Sequence, residues 1–113
     1  MHELSIAQAI IDVADEEVRK AGATRALSVT VLLGELSGVM EDQLRFCFPV
    51  VARGTAAEHA ELFIETVAGR AWCDRCEKEY HMPALVAPCP VCGGFTHDVR
   101  AGQELLVARL EVE

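Results

Sequence analysis

Cations are scarce in this chain, and long apolar runs are absent. Ten Lys and Arg stand against eighteen Asp and Glu, a formal net charge of −8 at pH 7. Phosphate backbones are held by a cationic face, so this balance counts against nucleic acid and favours cations or basic protein surfaces as partners. The opening residues, Met1-His2-Glu3-Leu4-Ser5, hold no basic segment followed by an apolar stretch. Neither a secretory signal nor a membrane span is expected, and the chain is expected to be cytoplasmic with reduced cysteines. No Ser/His/Asp arrangement, phosphate-binding glycine loop or suggestively spaced carboxylate pair stands out, so the chain is not expected to be an enzyme. There is no repeat beyond two cysteine pairs, and no low-complexity tract. A chain of 113 residues fits one domain, or one domain with a metal-stapled insert.

What is present is concentrated in four cysteines. Cys73-Asp74-Arg75-Cys76 and Cys89-Pro90-Val91-Cys92 are two CxxC pairs separated by twelve residues. Each pair places two thiolates on one tight turn, and the loop between them brings the turns face to face, which is the ligand spacing of a structural zinc site. Two disulfides, or a thioredoxin-type redox pair, are the competing readings. Reduced cytosolic thiols argue against the first, and the duplication of the motif against the second. Gly93-Gly94 after the second pair would let backbone N–H groups approach sulfur. Four thiolates would leave zinc no open position for a substrate water, and would add two negative charges to the total. Between Gly69 and Asp98 the cations Arg70, Arg75 and Lys78 are outnumbered by Asp74, Glu77, Glu79 and Asp98. A zinc-ribbon nucleic-acid adaptor is the alternative function, and this acidity weighs against it.

Around the cysteines the hydrophobic pattern predicts an α+β body. Leu4, Ala7, Ile10, Ile11, Ala14 and Val18 fall on one helical face, with Gly22 as a stop signal. Ala26–Leu33 alternates as a strand, and Gly34–Val39 reads as a turn. Glu41 and Asp42 open a second helix with Leu44, Cys47, Phe48 and Val51 as its apolar stripe. Pro49 removes a backbone donor there and should kink or shorten the helix. A second strand is expected over Ala60–Ala68, and a third over Gln103–Glu113. The third is too apolar for the insert and should return to the first sheet. The expected fold is two helices against a small three-stranded mixed sheet, over residues 1–68 and 99–113. A zinc-ribbon-like domain built on the four cysteines is inserted at 69–98.

A second constellation sits at the start. The Met1 amine, the His2 amide nitrogen and the His2 imidazole are linked closely enough to close chelate rings around one ion, and Glu3 can add a carboxylate. Nitrogen-rich, flat coordination favours Ni²⁺ or Cu²⁺ over Zn²⁺. By spacing alone an idle terminal histidine is the competing reading.

Met1-His2-Glu3-Leu4-Ser5-Ile6, joined to the late double CxxC, resembles the HypA/HybF family of hydrogenase nickel-incorporation proteins. The likeness extends through Gly34-Glu35-Leu36-Ser37-Gly38-Val39, Leu44-Arg45-Phe46-Cys47-Phe48, Thr55, Ala60-Glu61-Leu62, Cys89-Pro90-Val91-Cys92-Gly93 and Gly102-Gln103-Glu104-Leu105-Leu106-Val107. What it implies is a nickel metallochaperone, not an enzyme. Ni(II) would be cargo, with His2 the essential ligand and Glu3 in support. Cys73, Cys76, Cys89 and Cys92 would hold structural Zn(II). Members work with a hydrogenase-maturation GTPase and deliver nickel to the large subunit precursor of [NiFe] hydrogenase; some also serve urease maturation proteins. An open terminal site suits stepwise ligand exchange with an acceptor, which a buried cage would not.

His59 stands where the family shows glycine, and a left-handed turn there would suit histidine poorly. His59, His81 and His97 could each be an additional metal ligand, with surface histidine the preferred reading; in the family, histidines near the zinc bear on its coordination. Cys47 is expected as a buried core thiol, and Trp72 is expected to pack where the insert joins the body. Glu35, Glu41 and Asp42 are read as solvated or helix-start charges.

Overall fold

The fold, taken from a computed structural model, is described for residues 2–113. Its elements are α1 (Glu3–Lys20), β1 (Ala26–Gly34), α2 (Glu41–Val51), β2 (Glu61–Val67), β3 (Arg70–Cys73), β4 (Lys78–His81), β5 (Val99–Ala101) and β6 (Leu105–Val112). They form two three-stranded sheets, ordered β2-β1-β6 and β4-β3-β5. The chain divides into two compact units. The first takes the chain up to Leu32, then Val39–Glu65 and Leu106–Glu113; the second takes Leu33–Gly38 and Thr66–Leu105.

The first unit holds both helices. α1 buries Ala7, Ile10, Ile11, Ala14 and Val18, the i, i+3/i+4 stripe of an amphipathic helix. Leu4, assigned to that stripe by periodicity, is 55 % exposed. The helix ends where expected. Gly22 adopts φ 65, and the Ala23 N–H reaches back to the Val18 carbonyl at 3.0 Å, which satisfies carbonyls left open by the last turn. α2 buries Leu44 and Phe48, while Cys47 and Val51 are only half-buried against the core. Cys47, expected as a buried core thiol, does face the core but is only half-buried. Pro49 lies inside α2, which stops two residues later at Val51. The missing donor removes one bond near the end of the helix, where little follows.

The sheet of the first unit is mixed in direction. Backbone bonds join Arg25 to Glu113 near one end of β1 and Gly34 to Glu104 at the other, so β6 runs against β1. The Ala26 N–H reaches Ala56 and the Glu35 N–H reaches Val67, so β2 runs with it. β1 is central, and Val29 and Val31 are fully buried. Ser28 and Thr30, on its other face, are also buried. The Ser28 hydroxyl donates to Glu111 Oε1 at 3.0 Å, which satisfies it.

The second unit is larger than residues 69–98. It recruits the exit of β1, because Leu33–Gly38 is hydrogen-bonded into it: the Glu35 N–H donates to Val67 and the Leu36 N–H to Gly102, at 2.8 and 2.6 Å. Leu36 is buried with Ala71, Tyr80, Met82, Cys73 and Cys89. A segment read as a turn thus supplies part of a core. The second sheet was not anticipated, since its strands are three or four residues long and too short to show alternation. β3 pairs antiparallel with β4, Arg70 opposite His81 and Cys73 opposite Lys78. β5 pairs antiparallel on the other side of β3. Trp72 lies in β3, with the Arg100 guanidinium 5.0 Å from its ring centroid. The Arg100 cation of β5 thus covers the ring within this unit.

No helix among the described residues is long and apolar enough to cross a membrane.

Candidate metal centre

The antiparallel β3–β4 pair presents the first cysteine turn, and the loop after β4 brings the second turn against it. Cys73, Cys76, Cys89 and Cys92 place their four Sγ atoms within 4.8 Å of one another. Cys73 Sγ lies 3.6 Å from Cys92 Sγ, and Cys89 Sγ 4.0 Å from Cys76 Sγ. A zinc ion bonded to sulfur at about 2.3 Å in a regular tetrahedron requires sulfur edges of about 3.8 Å. These two edges bracket that value, and no pair is bonded as a disulfide. Cys73 and Cys89 are buried, Cys76 and Cys92 half-buried. The four sulfurs therefore fit a closed, four-coordinate structural site. Bound there, zinc would cross-link the two turns; with every position taken by sulfur it would offer no Lewis-acid face.

The backbone supports the sulfurs. The Gly94 N–H approaches Cys92 Sγ at 3.4 Å, and the Gly93 N–H donates to the Cys89 carbonyl at 2.8 Å. Backbone N–H groups of Cys92 and Val91 pull the Cys89 thiol down to about 7, while burial, together with the neighbouring thiols, pushes Cys76 up to about 12.

The two turns also share a left-handed position. Gly93, directly after the second pair, has φ 73, and Glu77, directly after the first, has φ 52. Glu77 is the only non-glycine residue with positive φ among the described residues. An L-residue in that conformation costs roughly 1–2 kcal/mol. We expect Glu77→Gly to raise the unfolding free energy of the zinc-loaded protein by about 1 kcal/mol, measured by urea titration at fixed zinc. His59 is not in this region, so its replacement of glycine imposes no strain.

Among the described residues no histidine joins the sulfur cluster. His59 and His97 are exposed. His81 instead meets Glu35, Nε2 to Oε1 at 2.8 Å. The Glu35 carboxylate also accepts the Gly69 N–H at 2.8 Å. That backbone bond and His81 hold it below the usual carboxylate range. Glu35, read from sequence as a solvated charge, is a clamp within the second unit. No local signal marks it, because its partners lie 34 and 46 residues away.

At the other end of the chain, His2 is the N-cap of α1, exposed, with extended backbone and no side-chain capping bond. Glu3 opens the helix, and its Oε2 accepts the N–H of Met40, the N-cap of α2, at 3.1 Å. This bond lowers the Glu3 pKa. The Met1 amine lies outside the described residues. Glu41 and Asp42 do open α2: Glu41 pairs with Arg45 at 3.1 Å, and Asp42 accepts the Gln43 N–H at 2.9 Å.

Comparison with known proteins agrees with this architecture. A family model described as "Hydrogenase/urease nickel incorporation, metallochaperone, hypA" matches residues 1–112. The chain belongs to the HypA family. Among its curated relatives, the hydrogenase maturation factor HypA of Geobacter metallireducens is 43 % identical over 113 residues, all of both chains. That of Geotalea daltonii is 45 % identical over 112 residues, 99 % of each. The solution structure of the Ni metallochaperone HypA from Helicobacter pylori superposes with a TM-score of 0.70 at 24 % identity, covering 99 % of this chain and 97 % of that one. At that identity the likeness speaks to the fold. Membership of the HypA family makes this a nickel-incorporation metallochaperone of hydrogenase maturation, with a four-cysteine site suited to a metal such as zinc.

Proposed function

We propose that this protein captures Ni(II) at His2, with Glu3 in support and the Met1 amine completing the chelate. It passes the ion, with a maturation GTPase, to the large subunit precursor of [NiFe] hydrogenase in the cytoplasm. Zinc held by Cys73, Cys76, Cys89 and Cys92 serves shape, not chemistry. The observation that carries this reading is the state of His2. Its imidazole is exposed at a helix start and is not spent on capping. Glu3 beside it is tied to the Met40 N–H, which keeps the carboxylate ionised and holds the start of α1 near that of α2. The His2 imidazole is accessible to a second protein, so an acceptor can displace it.

His2→Ala should cost more than the roughly 10–100-fold in nickel affinity that follows loss of an outer-shell partner, while zinc content and far-ultraviolet circular dichroism stay unchanged. Ni²⁺ titration calorimetry on protein with its natural start measures this. Unaltered nickel affinity in the variant sinks the proposal. A sample with extra residues before Met1 tests the amine separately.

Two ion pairs speak against the nucleic-acid alternative. Arg70 is engaged by Glu79 at 3.5 Å and Arg100 by Asp98 at 2.7 Å, which neutralises cations a phosphate backbone would need.

A further inference from the structure

A cleft of about 190 Å³ opens on the sulfur cage, lined among others by Cys73, Cys92, Arg75 and Thr96. It meets one cysteine from each turn; Cys76 and Cys89 do not line it. Its two cysteines are also the closer cross-turn pair, with Sγ atoms 3.6 Å apart against 4.0 Å for Cys76 and Cys89. Cys92 is half-buried and Cys73 buried, so an entering molecule meets Cys92 first. Two hydrogen-bond donors share the cleft. Arg75 is exposed; Arg70 and Arg100 of the same unit are held by Glu79 and Asp98, but among the described residues no ion pair engages Arg75. Thr96 Oγ1 accepts the Asp98 N–H at 3.0 Å, which leaves the hydroxyl proton to donate. Cysteines bound to zinc are thiolates at neutral pH. A thiolate, a guanidinium and a hydroxyl around one small cleft are the parts that cleave an O–O bond: sulfur attacks one oxygen, and the donors stabilise charge on the other as it leaves. The cleft is below the roughly 300–1,000 Å³ of drug-sized ligand sites, which suits the smallest hydroperoxide over a bulky disulfide.

We propose that this cleft is a peroxide-reactive site, at which hydrogen peroxide converts Cys92 and Cys73 to a disulfide and so opens the sulfur cage. The Cys92 thiolate attacks one peroxide oxygen. An S–O bond forms, the O–O bond breaks, and hydroxide leaves against the Arg75 and Thr96 donors; Cys92 becomes a sulfenic acid. The Cys73 thiolate, already 3.6 Å away, then attacks the Cys92 sulfur. The S–S bond forms, the S–O bond breaks, and a second hydroxide leaves. The two sulfurs lose two electrons and the peroxide gains them, so no further oxidant is needed. A disulfide sulfur is no longer a thiolate ligand, and Cys76 and Cys89 alone cannot complete a four-coordinate site. Zinc leaves, and the unit whose small core includes Cys73 and Cys89 becomes conditional on the absence of oxidant. Cytosolic disulfides that sense redox state are transient in this way. The proposal rests on the four-cysteine zinc reading and is independent of nickel at His2.

The test adds equimolar hydrogen peroxide to the reduced, zinc-loaded full chain, follows zinc release with a chromogenic chelator and maps disulfides by peptide mass spectrometry. Expected is a disulfide joining Cys73 to Cys92, zinc released in step with it, and reversal by dithiothreitol and added zinc. Arg75→Gln and Thr96→Val should each slow release about tenfold, short of the roughly 100–1,000-fold that a fully buried oxyanion donor supplies, with zinc content before oxidant unchanged. Thr96→Ser keeps the hydroxyl and should hold the wild-type rate. Cys47→Ser should leave both the rate and the disulfide map as they are. A chain that holds no zinc before oxidant is added overturns the cage and this proposal together. In a zinc-loaded chain, a disulfide between other cysteines, faster release by glutathione disulfide than by peroxide, or rates indifferent to Arg75→Gln and Thr96→Val overturn this proposal alone.

Discussion

Withdrawing the metal, or replacing Cys89 by serine, should dissolve the second unit and leave the first one folded. The reason lies in the composition of the two cores. In the second unit Cys73 and Cys89 are themselves part of the buried cluster, alongside only Leu36, Ala71, Tyr80 and Met82. Its strands are three or four residues long, and a sheet so small buries too little apolar surface to hold itself. Structural zinc in comparable small sites contributes about 10–16 kcal/mol of apparent binding free energy near neutral pH, and that binding free energy is folding free energy. The first unit does not depend on it. Ile11, Leu44, Val29 and Val31 are fully buried there, and α1 and α2 pack together over a central strand. Chelation should therefore abolish the environment of Trp72, the only tryptophan, while most helical circular dichroism persists. Trp72 reports well because the Arg100 cation lies 5.0 Å from its ring. Fluorescence and circular dichroism recorded together against chelator concentration would separate the two units. Coincident loss of both signals would show that the metal supports the whole chain.

Gly102→Ala is expected to be the most damaging substitution outside the cysteines. Three stretches of backbone meet in the second unit at Gly34, Gly69 and Gly102. A Cβ on Gly34 would lie 2.0 Å from the Gly102 carbonyl oxygen, one on Gly69 2.0 Å from the Met82 carbonyl oxygen, and one on Gly102 2.5 Å from Gly69 Cα. These obstacles are main chain and cannot swing aside. Gly102 also has φ 107, where L-residues are strained whatever the space. Strain and overpacking together should cost about 3–5 kcal/mol, a large share of a typical domain's stability. Gly22→Ala is the control. Gly22 also has positive φ, but nothing lies within 4 Å of its Cβ position, so it should lose only about 1–2 kcal/mol. Urea midpoints of the two zinc-loaded variants against wild type decide the matter. Equal losses would mean that the crossing point is softer than its distances imply.

Much of the architecture was legible residue by residue. The stripe of α1, its stop at Gly22, a strand read over Ala26–Leu33 and the return of a strand read over Gln103–Glu113 to the first sheet follow from period and propensity. Those are local properties, repeated over enough residues to be read. The cysteine spacing predicted the sulfur cluster because ligand geometry leaves few alternatives. Cys47 was misjudged because a helical stripe gives direction but not depth. The β3–β5 sheet went unseen because four residues carry no period.

By itself the sequence determined the element types of the helix-bearing unit, the sulfur cage and the acidic character of the chain, since each rests on local chemistry or on counting. Only the tertiary structure decided that Leu33–Gly38 belongs to the cysteine-bearing unit. It alone set Glu35 on Gly69 and His81, packed three glycines at one crossing, and left β6 at an edge. Those features depend on contacts between residues far apart in the chain. Such contacts arise from how excluded volume and unpaired backbone groups are reconciled in space, and no short window of residues records that outcome.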